Sequence, residues 1–163
     1  ENSMVRTEAD EVTYCFHIIL RYEMEKAIFY DHVPVEKLPE LWNQKMQEYL
    51  HITPKNDAEG ILQDVHWSDG SFGYFPSYLL GSIYDGMYLE KMEEELGSVD
   101  EILADGRIGE ITKWLNEKIH WYGSTRTPKE VIAVVCGKEV SAQPLVRYMK
   151  KKYTRLYGLS EEA

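Results

Sequence analysis

The chain has 163 residues with an apolar fraction of 44%, enough to bury a real core within one domain. Its 28 acidic side chains outnumber its 18 lysines and arginines, for a formal net charge of −10. That balance argues against nucleic acid as the main partner, because binding a phosphate backbone needs clustered cations, and the one basic run is the short Lys150-Lys151-Lys152.

The predicted elements are nearly all helical. Val12, Cys15, Phe16, Ile19, Leu20 and Ala27 recur at helical spacing, so a first helix is expected from Thr7 to about Tyr30, ended by Asp31 and Pro34. A second is expected from about Glu36 to Tyr49, with Pro39 in its first turn, where a missing N–H costs nothing. His51 to Glu59 reads as a linker. Gly60 to Gly81, "GILQDVHWSDGSFGYFPSYLLG", is the segment an ordinary helical domain does not need. Ser68-Asp69-Gly70 is turn chemistry, and Gly73 and Pro76 resist helix, so an irregular loop is expected over about residues 60–77. Helix resumes from about Ser77 to Leu96 and stops at Gly97. Ser98, with Glu101 three residues on, predicts a capped short helix through Ala104. Further helices are expected at about Ile108–Trp121, Thr127–Cys136 and Ser141–Tyr157, the last two opening on cap residues. The fold class is all-α, a helical bundle with one irregular loop, treated as a single domain over residues 1–163. No apolar stretch is long enough to span a membrane, and no signal peptide is evident. Cys15 and Cys136 read as reduced, buried thiols of a cytoplasmic protein, with a disulfide as the alternative. The opening Glu1-Asn2-Ser3 does not look like a natural start, so a piece of a longer protein is expected.

Self-contained chemistry is hard to assemble from these residues. His17, His32, His51, His66 and His120 are scattered, and no His-x-x-x-His pair occurs, whereas zinc needs about three converging protein ligands. Glu117-x-x-His120 has di-iron spacing but lacks a second copy. No Gly-x-Ser-x-Gly elbow occurs, and "GSFGYF" is followed by no Lys-Ser/Thr, so it is not a phosphate loop. Arg6 sits where a helix is expected to begin, against the macrodipole. It is either a surface arginine paired loosely with Glu8 or Asp10, or a fixed guanidinium that grips a carboxylate. Gln63, Asp64 and His66 are either a satisfied polar loop or a site in which Asp64 orients His66. Trp67, Phe72, Phe75 and Tyr78 read as packing, and the Tyr74 hydroxyl could do either.

Two of these stretches carry a resemblance. "VRTEAD" (Val5 to Asp10) and "GILQDVHW" (Gly60 to Trp67) are similar to two signature motifs of the thermostable carboxypeptidase 1 metallopeptidases, the carboxypeptidase Taq or M32 family: I-(R/A)-x-x-A-D and G-x-x-Q-D-x-H-W. The second is matched at every fixed position, and the first has Val5 in place of isoleucine. "EVTYCFHIILRYEMEKAI", "GSFGYFPSYLLG" and the tail "WLNEKIHWYG … YMKKKYTRLYGL" resemble the family as well, so the likeness covers the whole chain.

The resemblance implies a cytosolic, nearly all-helical enzyme about three times this length, a zinc- or cobalt-dependent peptidase that removes single residues from peptide C-termini and acts as a homodimer. The family's metal sits on an H-E-x-x-H helix upstream of the motif matched at Val5 to Asp10. H-E-x-x-H does not occur here, so the resemblance implies a C-terminal portion without the metal ligands or the general base, inactive alone. It further implies that Arg6 anchors the substrate's terminal carboxylate and that Asp10 orients Arg6. Gln63, Asp64 and His66 would line the cleft, His66 would donate to the scissile carbonyl or the tetrahedral oxyanion, Tyr74 would assist at the terminal carboxylate, and Trp67 would support the loop. Arg6 and His66 should then approach the same cleft. The alternative is a non-catalytic helical binding module that keeps the family fold; a separate small metal-binding bundle ranks below it.

Overall fold

The computed structural model describes residues 2–160 of the chain. Among the described residues every regular element is helical: α1 (Glu11–Phe29), α2 (Leu38–Leu50), α3 (Val65–Ser68), α4 (Pro76–Leu96), α5 (Val99–Ala104), α6 (Ile108–Lys118), α7 (Pro128–Cys136) and α8 (Gln143–Tyr157). Three short 3-10 turns, Arg6–Glu8, Val35–Lys37 and His120–Tyr122, precede α1 and α2 and follow α6. The chain packs as two compact units, Glu1–Leu80 and Gly81–Ala163. No described helix is long and apolar enough to cross a membrane.

In the first unit, α2 places Leu38, Trp42, Met46 and Leu50 four residues apart, one stripe along its axis, and all are buried. Leu20 and Met24 of α1 complete the core, and Ile61 and Trp67 from the irregular segment pack against it. Burying a side chain the size of Trp42 is worth roughly 2–3 kcal/mol in transfer alone. Pro39 lies in the first turn of α2 and His51 closes the helix in the left-handed region, φ 55°. At Gly60 a Cβ would lie 3.3 Å from both Asn56 O and Pro54 Cβ, so any larger residue crowds the fold of the preceding linker.

Several boundaries differ from the sequence reading for local reasons. α1 begins at Glu11, not Thr7, because Asp10 caps it: the Asp10 carboxylate accepts from Val12 N–H at 2.9 Å and Thr13 N–H at 3.0 Å. Arg6 therefore stands on a separate turn ahead of the helix rather than at its positive end. The irregular segment contains the four-residue α3, and α4 starts at Pro76. α6 stops at Lys118, and the chain tightens into a 3-10 turn before Gly123 (φ 50°, ψ −130°), a conformation that favours glycine. α8 starts two residues after Ser141, whose hydroxyl accepts from Gln143 N–H at 3.2 Å. Both cysteines are free and half-buried rather than fully buried, and burial pushes both thiols up.

In the second unit, Met92, Trp114, Val131 and Val135 form the core. Trp114 satisfies its indole N–H on Glu95 at 2.8 Å. Ser98 accepts from Glu101 N–H at 3.3 Å, and a reciprocal capping box forms at Thr127 and Glu130. α4 meets the start of α8 at Gly86, where a Cβ would lie 2.8 Å from Leu145 N and 2.9 Å from Leu145 Cα. Alanine there gains about 1 kcal/mol of helix propensity. It also drives a methyl group into backbone that cannot step aside, which costs more. Gly86→Ala is expected to destabilise the protein by a net ~1–2 kcal/mol, read as a lower urea midpoint at unchanged slope. An unchanged or raised midpoint would show that the two helices separate freely.

Candidate functional site

The site grows around one carboxylate. Asp64 lies just ahead of α3 in extended backbone, φ −100° and ψ 132°, and its side chain meets Arg21 of α1. Its two oxygens are divided between two arginines. Arg6 gives Nη2–H to Oδ1 at 3.1 Å and Nε–H to the same oxygen at 3.4 Å. Arg21 gives Nε–H to Oδ2 at 2.5 Å, and its Nη2 also meets Oδ2. Burial pushes the Asp64 carboxyl up, but the two guanidinium groups outweigh it and hold the carboxyl below its usual range.

Arg21 is completely buried in α1. Its Nη1 donates to His17 O at 2.9 Å and faces His17 Nδ1 at 3.3 Å, and its Nη2 donates to Gln63 Oε1 at 3.4 Å. The guanidinium lies over the rings of Trp42 (4.9 Å) and Phe75 (5.4 Å). Burial lowers its pKa to about 10, with Arg6 adding to the fall and Asp64 opposing it. His17, also fully buried, places Nε2 3.0 Å from Ser3 O. A carbonyl only accepts, so Nε2 carries the proton and Nδ1 is left to accept from Arg21. Burial first, then Arg21, pushes the His17 pKa down to about 4, in accord with that neutral tautomer.

Arg6 is the outward member. Its side chain keeps 11% of its exposure. Nη1 donates to the Tyr14 hydroxyl at 3.3 Å, and the guanidinium lies 5.3 Å from the Tyr78 ring centre and 5.6 Å from that of Phe75. Burial works against the charge, yet Asp64 and Tyr14 outweigh it and raise the Arg6 pKa. Asp10 is not its partner: that carboxylate is spent on the α1 N-terminus and on the Thr13 hydroxyl at 2.8 Å. The orienting role expected of Asp10 is filled by Asp64 and Tyr14 instead.

His66, on α3, lies on the same carboxylate as Arg6, with Nδ1 3.9 Å from Asp64 Oδ1, beyond a good hydrogen bond. Nδ1 is buried and has no hydrogen-bond partner, while Nε2 faces the Tyr78 hydroxyl at 3.1 Å. The imidazole is clamped between rings: Phe75 at 4.6 Å and Tyr74 stacked at 5.8 Å. Tyr74 itself is half exposed. Gln63 donates to Glu59 O at 2.9 Å and accepts from Arg21, so it braces the loop from inside. Trp67 donates its indole N–H to the buried Glu25 at 2.9 Å and stacks on Phe72.

Arg6, Gln63, Asp64, His66 and Tyr74 thus lie in one cluster of the first unit. Sequence reasoning missed Arg21, His17, Tyr14 and Glu25. One signal was available: Tyr14, His17, Arg21 and Glu25 fall on one face of a helix otherwise rich in apolar residues, where charged side chains are rare unless paired. Tyr78, read as packing, carries a hydroxyl on His66. Among the described residues no group of three or more His, Cys, Asp or Glu side chains is placed to hold a metal ion. His66 is the only imidazole beside Asp64 on the loop, and His17 is committed to Ser3 and Arg21. By itself this cluster does not gather the three or so converging protein ligands that zinc needs.

Known proteins share this arrangement of sequence and fold. The chain is 52% identical over 157 residues to carboxypeptidase 1 of Bacillus subtilis (strain 168), covering 96% of this chain and 31% of that protein. It is 42% identical over 158 residues to thermostable carboxypeptidase 1 of Thermus thermophilus, covering 97% of this chain and 31% of that protein. The solved M32 carboxypeptidase of Deinococcus radiodurans R1 superposes with a TM-score of 0.93 at 31% identity, over 97% of this chain and 32% of that one. The chain therefore spans about a third of the length of the relatives it matches. The family model described as carboxypeptidase Taq (M32) metallopeptidase matches residues 1–153. With both motifs in place and the family model covering nearly the whole sequence, the chain belongs to the carboxypeptidase Taq (M32) metallopeptidases.

Proposed function

We propose that this chain is the carboxylate-binding wall of a longer metal-dependent carboxypeptidase that removes single residues from the C-termini of peptides. The observation that carries the reading is the Arg6 guanidinium, held along one edge by Asp64 and at one nitrogen by Tyr14. Arginine has five N–H donors. Three of them are engaged by these contacts, one from each nitrogen, so one N–H on Nη1 and one on Nη2 remain to donate to a carboxylate. A carboxypeptidase needs such a fixed cation to select the chain end and set the register of the bond to be cut.

The other residues take roles their own positions support. Asp64 orients Arg6, and Gln63 holds the loop that carries Asp64. His66, with its ring fixed by Phe75 and Tyr74 and its Nδ1 buried, donates from Nε2 to the scissile carbonyl oxygen as charge develops there, exchanging its contact with the Tyr78 hydroxyl. Tyr74, half exposed beside it, contacts the terminal residue of the peptide. Trp67 fixes the end of α3 on Glu25. Zinc or cobalt, the general base, the family's dimer contacts and a cytoplasmic setting belong to the longer enzyme.

Arg6→Ala in the longer enzyme tests the reading. The substitution leaves Asp64 paired with Arg21, so the loop keeps its anchor. For an N-blocked dipeptide, kcat/KM is expected to fall by about 2 kcal/mol, or roughly 30-fold, mainly through KM. An unchanged kcat/KM would remove Arg6 from the anchor role.

A further inference from the structure

An arginine already paired with a carboxylate is a poor receptor for a second one. The Arg6–Asp64 pair taken alone is neutral, so it offers a substrate carboxylate hydrogen bonds but little charge. Arg21 changes that sum. Arg6 and Arg21 contribute two positive charges and Asp64 one negative charge, leaving one positive charge over. His17 is neutral at pH 7 and does not alter the count. Glu25, also buried on the same helix, is turned to the Trp67 indole, and the ion pairs of both arginines are to Asp64.

The surplus is expressed at one place. Every nitrogen of Arg21 is engaged: Nε on Asp64, Nη2 on Gln63 and in ion contact with Asp64, and Nη1 on His17. It is sealed from solvent between Trp42 and Phe75. Arg6 retains two donors and some exposure. The uncompensated charge can therefore meet a ligand only through Arg6.

We propose that Arg21 is a positioning residue for carboxylate recognition: it pins Asp64 through Oδ2 so that Oδ1 holds the inner edge of Arg6, and it offsets the Asp64 charge so that Arg6 meets the substrate as a net cation. The proposal rests on Arg6 being the carboxylate anchor, and it adds a residue that lies in neither signature motif and touches no substrate. Arg21 acts only through Asp64.

The test uses the longer enzyme in its metal-loaded form and two probes, 3-phenylpropanoate and 3-phenylpropanamide, which differ only in carboxylate against amide. The readout is the ratio of their competitive inhibition constants. A merely structural role would weaken both probes together. Arg21→Met is expected to lower the preference for the acid about tenfold while the amide constant moves by less than about twofold, since one charged interaction is lost and the rest of the cleft is kept. Arg21→Lys keeps the charge but loses the fork, so the preference should fall by less than in Arg21→Met. Should Arg21→Met fail to accumulate as folded protein, Arg21→Lys carries the test, with a severalfold loss of preference expected. A wild-type ratio in the Arg21 variants, or parallel weakening of both probes, overturns the proposal while a collapsed ratio in Arg6→Ala keeps the anchor standing. A wild-type ratio in Arg6→Ala removes the anchor itself and the Arg21 role with it.

Discussion

Asp64→Asn is expected to destabilise the protein by roughly 3–5 kcal/mol, the usual loss when one member of a buried ion cluster is removed and its partners stay behind. The shape of the side chain is preserved, so the effect isolates the charge. Asparagine still accepts a hydrogen bond from one arginine, but two guanidinium groups are then left with no anion between them. Arg21, with no exposure at all, cannot turn to water for compensation. The loss should appear as faster amide hydrogen exchange in α1 and as a lower urea midpoint. Combining it with Arg21→Met supplies the internal control: once the buried cation is gone, the missing carboxylate matters less, so the double variant should lose less than the sum of the two singles. A single-variant loss under about 1 kcal/mol would mean that the cluster is not the electrostatic centre of the first unit.

Lowering the pH is expected to weaken the protein even before its carboxylates titrate. His17 titrates at the ordinary 6.5 in the unfolded chain and at about 4 in the fold. Between those values the unfolded state holds the extra proton, so stability falls as the pH drops from about 6.5 to about 4. The full change amounts to roughly 3 kcal/mol at one such buried group. Below that window the depressed Asp64 carboxyl adds its own loss: its contribution is present above the ordinary carboxylate range and disappears as the pH falls through its folded value. Urea unfolding at successive pH values from 7 to 4 measures the slope. His17→Gln keeps a donor for Ser3 O and an acceptor for Arg21 but cannot titrate, so it should flatten the curve over the window. A wild-type slope in His17→Gln would place the proton uptake elsewhere.

These two expectations mark where the sequence was and was not sufficient. Local chemistry was legible: the Thr127 cap, Pro39 in the first turn of α2 and the turn at Ser68-Asp69-Gly70 all follow from interactions a few residues long. The all-helical class followed from apolar spacing, and the motif residues Arg6, Gln63, Asp64 and His66 were singled out by type and pattern. Partner choice was not legible. Glu8 and Asp10 were the natural neighbours for Arg6 from sequence, but a short carboxylate at a helix start such as Asp10 is satisfied most cheaply by the helix's own N–H groups, and Arg6 took an acceptor 58 positions away. Arg21 reads on paper as one more polar residue in an amphipathic helix. It becomes a buried cation only because α2 brings Trp42 under it and the loop brings Asp64 to it from 43 positions away. Helix type is written in nearest neighbours, whereas the pairing of buried charge depends on which surfaces packing has already removed from water. The sequence by itself therefore determined which groups could make a site, and only the tertiary structure decided which carboxylate each arginine would share.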